Sequence, residues 1–111
     1  MIKEKIIESI KQCYDPEIPV DLWNLGLIYS INHKLNKSNK YTVNITMTLT
    51  TPKCNMADHI AEDLKRKVLK NQDISKVIVN ITFDPEWEPN MMTEKAKGIL
   101  GLTNNNNNNW E

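Results

Sequence analysis

Ile2, Ile6 and Ile10 recur every four residues with Ile7 beside them, a spacing that predicts an amphipathic helix over residues 2–13. Asp15-Pro16 ends it, because the residue before a proline is pushed out of the helical region. Residues 17–27, EIPVDLWNLGL, hold Pro19 and Gly26 and show no regular stripe, so they read as irregular. From 27 to 35 the chain alternates well enough for a strand, and NKSNK after it is a polar turn. The cleanest alternation is YTVNITMTLT, residues 41–50. Tyr41, Val43, Ile45, Met47 and Leu49 take one side; Thr42, Asn44, Thr46, Thr48 and Thr50 take the other. Two strands joined by so short a loop should pair antiparallel.

MADHIAEDLKRKVLK, residues 56–70, places Ala57, Ile60, Ala61, Leu64 and Val68 on one helical face. KVIVNITF, residues 76–83, is a third strand. Strand, helix and strand in that order predict a crossover to a parallel neighbour. DPEWEPN is irregular. A last short helix follows, with Thr93 as N-cap, Ala96, Ile99 and Leu100 as its apolar side, and Gly101 as its stop. The expected fold is α/β (α+β): one two-layer domain over residues 1–103, order αββαβα, with helices on one face of a small three-stranded mixed sheet. The hydroxyl-rich face of the middle strand is expected to lie open to solvent or a partner. Residues 104–109 are six asparagines with nothing apolar to bury, so 104–111 is expected to be a flexible tail.

The chain has 111 residues, with fourteen basic and fourteen acidic ones. Neutrality argues against a broad nucleic-acid-binding surface. Lys65, Arg66, Lys67 and Lys70 read as the solvated face of a helix. No apolar run is long enough to span a membrane, and the first residues carry charge in every turn, unlike a signal peptide. A cytoplasmic protein with reduced thiols is the expectation.

The chemistry available is narrow. There are three glycines, so no phosphate loop, and two cysteines, Cys13 and Cys54, not in a CxxC pair. Cys13 ends the apolar stripe of the first helix and reads as core. Cys54 stands in TLTTPKCNMAD, between a strand and a helix. It reads equally as a small buried hydrophobe or as a thiol activated by Lys53 and a helix N-terminus. Asp15, Glu17 and Asp21 gather carboxylates in one loop, without the spacing of a metal loop. His33 and His59 read as surface or half-buried residues, and Cys54 and His59, five apart, do not share a helical face. Trp23, Trp87 and Met91–Met92 lie in or beside irregular segments and suit either core or interface. Nothing builds a self-sufficient active site, so no enzyme is expected.

Three segments, DPEIPVDLWNLGLIYSI, MTLTTPKCNMADHI and VNITFDPEWEPNMMTEKAKGILG, resemble the signatures of the small iron–sulfur maturation family. That family includes the SufT-like proteins, the cytosolic iron–sulfur targeting factors and the PaaD-like oxygenase accessory proteins. The resemblance covers most of residues 10–101 in order. It implies the same α/β topology and a non-catalytic role in bringing iron–sulfur clusters to apo-proteins, with the assembly machinery and those apo-proteins as partners and a homodimer as a frequent state. By position Cys54 matches the family's reactive cysteine, Asp15 and Glu17 its DPE acids, and Thr50 and Thr51 the hydroxyl residues before the cysteine. The implied ligand at Cys54 is a transient iron–sulfur cluster or iron; no tightly bound cofactor is implied. Asn24 departs from the acid that many relatives carry there, and Asn55 from their proline or small residue. The Cys-rich C-terminal extension expected of PaaD-like members is not in this sequence, which favours the SufT-like group. The alternatives are an oxygenase accessory subunit and a thiol-dependent redox protein, the latter with Cys13 approaching Cys54 in space.

Overall fold

A computed structural model describes residues 2–16, 18–50 and 56–101 of the chain. Its elements are α1 (Ile2–Ile10), β1 (Ile28–Leu35), β2 (Tyr41–Met47), α2 (Ala57–Val68), β3 (Ile74–Ile81), a short 3-10 turn (Pro89–Met91) and α3 (Glu94–Ile99). The order is the expected αββαβα, with boundaries shifted by a few residues. α1 stops at Ile10, since residues 11–13 close back as turns, Gln12 N–H to Ser9 O at 3.1 Å and Cys13 N–H to Ile10 O at 3.0 Å. β2 stops at Met47, and β3 lies two residues earlier than its apolar run suggests.

The sheet order is β1-β2-β3, antiparallel between β1 and β2 and parallel between β2 and β3. The hairpin turn is set by asparagine chemistry. Asn36 Oδ1 accepts from Ser38 N–H at 2.8 Å and Lys40 N–H at 3.0 Å, and Asn39 takes φ 64°, a left-handed geometry that asparagine tolerates.

Helices cover one face of the sheet. α2 packs on β3 and α1 on α2. Ile6, Ile10, Val43, Ile45, Leu64 and Val68 are fully enclosed between these layers, each burial contributing about 1.5–3 kcal/mol. The irregular segment before β1 also supplies core: Val20, Leu22, Leu25 and Leu27 are all at 0 % exposure. No periodic pattern announces them, because a turn-rich segment turns successive side chains inward by its own path.

Two expectations need correction. Thr48, assigned to the open hydroxyl face, is fully buried, because β2 has already ended and the chain folds inward there. Ile99, assigned to the apolar side of α3, is 55 % exposed; Ala96 and Leu100 carry that packing instead. The asparagine run at 104–109 lies outside the described residues.

Candidate functional site

The DPE segment is a closed loop. Leu22 N–H donates to Cys13 O at 2.8 Å and Asp15 N–H to Val20 O at 3.4 Å, and Tyr14 and Asp21 form an antiparallel bridge. Asp15 is buried, and its Oδ1 accepts from Ile18 N–H at 3.0 Å, the turn that an aspartate makes with backbone ahead of it. Its carboxylate therefore shapes the loop from within. Glu17 lies outside the described residues.

Asp21 opens the next turn as an N-cap would. Its Oδ2 accepts from Asn24 N–H at 3.0 Å and its Oδ1 from Asn24 Nδ2 at 2.8 Å. Both residues are buried. The amide of Asn24 thus meets a carboxylate three residues earlier. The two N–H donors of Asn24 offset the cost of burying the Asp21 side chain. Gly26 closes the turn at φ +78°, and a Cβ there would meet Met91 O at 2.2 Å, so this position takes no larger residue.

The segment after β3 clasps this turn. Trp87 Nε1–H donates to Leu25 O at 2.6 Å, and Tyr29 O–H donates to Pro85 O at 2.7 Å and contacts Met91 Sδ at 3.8 Å. Thr93 N–H donates to Asn24 O at 2.9 Å, and Thr93 Oγ1 donates to Asn24 Oδ1 at 2.7 Å while accepting from Ala96 N–H at 3.2 Å. The DPE-to-LGL and PxW-to-MMT segments are one hydrogen-bonded unit. Of the residues that suit either core or interface, Trp23 and Trp87 are half-buried and pack on the core, and Met92 is buried in it.

The end of β2 meets the same unit. Thr48 N–H donates to Leu27 O at 2.9 Å, and Thr82 N–H to Met47 O at 2.9 Å. Thr48 Oγ1 is the one fully buried side-chain polar atom among the described residues that has no hydrogen-bond partner. Nothing in the alternating strand pattern singles it out, because the signal exists only once the strand is seen to end. Thr50 is half-buried just beyond. Thr51 and Cys54 lie outside the described residues. α2 begins at Ala57, with Met56 at its N-cap position and Asp58 in its first turn, so the partial positive end of that helix follows residue 56 directly.

Cys13 is 1 % exposed, and its Sγ donates to Ser9 O at 3.6 Å. Burial first, then the nearby Asp63 carboxylate, push its thiol up from 9.0 to about 11. It is a buried core thiol, as expected. His33 and His59 are both exposed. Among the described residues no group of three or more His, Cys, Asp or Glu is arranged to hold a metal ion.

Comparison with known proteins gives a consistent result. Residues 3–82 match the family model described as iron–sulfur cluster assembly protein. The chain is 41% identical over 100 residues to an Fe-S protein maturation auxiliary factor of Porphyromonas gingivalis, covering 90% of this chain and 91% of that one. It is 35% identical over 89 residues to the Fe-S protein maturation auxiliary factor SufT of Staphylococcus aureus, covering 80% of this chain and 97% of that one. Among solved structures, a domain of unknown function from Bacillus anthracis superposes with TM-score 0.75 at 33% identity, covering 91% of this chain and 92% of that one. A conserved hypothetical protein from Thermotoga maritima gives 0.70 at 33%, covering 89% and 93%.

Proposed function

The chain belongs to the iron–sulfur cluster assembly protein family, and from that premise we propose that it is an auxiliary factor in iron–sulfur protein maturation that meets its cargo through Cys54. The burial of Cys13 carries the assignment of the thiol. The sequence has two cysteines, and one is enclosed and held protonated, so sulfur chemistry falls to the other.

Clusters are usually held by four thiolates, and one available thiol per chain falls short of that. Iron or a cluster is therefore cargo at Cys54, with its other ligands drawn from a second copy, an assembly protein or the receiving apo-protein. A homodimer would bring two Cys54 thiols to one cargo. Thr50 and Thr51 precede the thiol in sequence and would supply hydroxyl donors near it, and Glu17, which the family resemblance assigns to the same site, would supply an acceptor. Asp15, turned inward, would hold the loop that carries Glu17. The role is one of delivery and not of turnover, in keeping with the names of the relatives. Among the described residues no helix is long and apolar enough to cross a membrane, which accords with a soluble site of action.

The test is replacement of Cys54 by Ser in the host, with iron–sulfur enzyme activities as readout. They should fall as far as in the deletion strain, while the purified variant keeps its fold. Anaerobic loading with iron and sulfide should give visible absorption in the native chain and none in the variant. Unchanged enzyme activities in the deletion strain would sink the maturation role. Full activity with Cys54→Ser alone would sink the assignment of the thiol.

A further inference from the structure

The face of the sheet that the helices leave uncovered has a one-sided charge. From Leu22 to Ala57 the chain carries no Asp or Glu, although it has as many acids as bases in total. That stretch contains β1, the hairpin turn and β2. Strand register places Lys34, Thr42 and Lys76 in one row across the outer face. Asn32, Asn44 and Ile78 form the next row, and Ser30, Thr46 and Asn80 the third. Lys34 and Lys76 are exposed and two strands apart, roughly 10 Å. Lys37 extends the positive charge into the hairpin turn. A hollow of about 660 Å³ lies at this end, lined by Asn32, Lys34, Asn36, Lys37, Thr42 and Asn44 among others.

Among the described residues most cations within the helices are paired, Lys3 and Lys95 excepted, whereas those of this face are not. Lys5, Lys65, Arg66, Lys67 and Lys97 each pair with a carboxylate. Lys34, Lys37 and Lys76 have no ion-pair partner among the described residues. Asp73, next to the start of β3, is engaged by Lys5 at 3.2 Å. The amides and hydroxyls between the lysines are donors at strand spacing, and Asn80 Nδ2 donates to Asn44 Oδ1 at 2.6 Å across β2 and β3.

We propose that this outer face, at its hairpin end, docks a carboxylate-rich segment of a partner protein. Lys34 and Lys76 would meet two carboxylates, with Asn32 and Asn44 donating between them. Complementary charge of this kind sets orientation and association rate. A protein segment fits better than a nucleic acid, because the nine residues of the three rows include no aromatic side chain for bases to stack on and no arginine. The surface needs nothing of Cys54, so it stands or falls separately from the cargo assignment.

The experiment uses the full chain and a fluorescein-labelled oligo-glutamate peptide, read by anisotropy. Three proteins are compared: native, Lys34→Gln/Lys76→Gln, and Lys70→Gln/Lys95→Gln, which removes the same charge just past α2 and from α3. Saturable binding is expected for the native chain, weakened by roughly tenfold in the first variant and unchanged in the second. Binding should also fall steeply when salt rises from about 0.02 M to about 0.5 M. Equal losses in the two variants, or no saturable binding at low salt, would overturn the proposal. Tighter binding of a single-stranded oligonucleotide to the same lysines would overturn it too. Matching circular dichroism spectra exclude unfolding as the cause.

Discussion

Thr93 and Asn24, 69 residues apart, hold each other through a backbone pair at 2.9 Å and a side-chain pair at 2.7 Å. Asn24 in turn is held by Asp21, and Thr93 caps α3. The result is one polar chain from the turn before β1 to the last helix. It fixes the segments that carry the family's signatures on either side of the sheet's end.

Thr93→Ala removes a cap and a cross-link at once, and losing a cap alone costs about 1 kcal/mol. A loss of about 1.5–3 kcal/mol is expected in urea unfolding. Thr93→Ser should recover most of it, because the hydroxyl suffices for both bonds.

Asn24→Asp places an acid against the Asp21 carboxylate. Two carboxylates in contact raise the pKa of one of them in the folded state. A raised folded pKa gives stability that is present at low pH and lost as pH rises. The variant should therefore be less stable than the native chain at pH 7, with the gap narrowing towards about pH 4, near the ordinary carboxylate range. A constant gap across that range would mean that the two side chains separate.

Gly26→Ala meets both a left-handed φ of +78° and Met91 O at 2.2 Å. Neither the turn nor the Met91 backbone moves without breaking the clasp. A loss above about 2 kcal/mol is expected, seen as a lower thermal midpoint. Gly101 has φ +76° but open space around it, so Gly101→Ala should cost less, about 1 kcal/mol.

Cys13 gives a thiol count and a pH signature. At pH 8 the folded chain should present one thiol to Ellman's reagent, and two in guanidinium. Its folded pKa of about 11 exceeds the 9.0 of the open chain. The unfolded state therefore sheds a proton first, and stability should fall between about pH 9 and pH 11. Cys13→Ala should flatten that alkaline slope while lowering stability at neutral pH through the lost core volume.

Thr48→Val replaces an enclosed hydroxyl that has no partner by a methyl of similar size. Burying an unpaired hydroxyl costs about 1–3 kcal/mol, so the variant should be more stable by about 1 kcal/mol or more. A destabilised variant would mean that the hydroxyl has a partner in solution.

The local patterns determined much of this protein. Isoleucines every four residues fixed α1, strict alternation fixed β2, and the Thr93–Gly101 pair bracketed α3, because each signal arises from neighbours along one element. Order and spacing of three motifs were enough to point to the family. Only the tertiary structure decided what those motifs do for one another. Asp15 and Asp21 look like free acids in a loop, yet both are buried, one bonded to Ile18 N–H and the other to Asn24. Trp87 suits core or interface by its place in the sequence, and it ties down Leu25. Val20, Leu22, Leu25 and Leu27 form core from a segment without period. Each outcome depends on a contact between segments far apart in the chain, and such a contact leaves no trace in the spacing of either one.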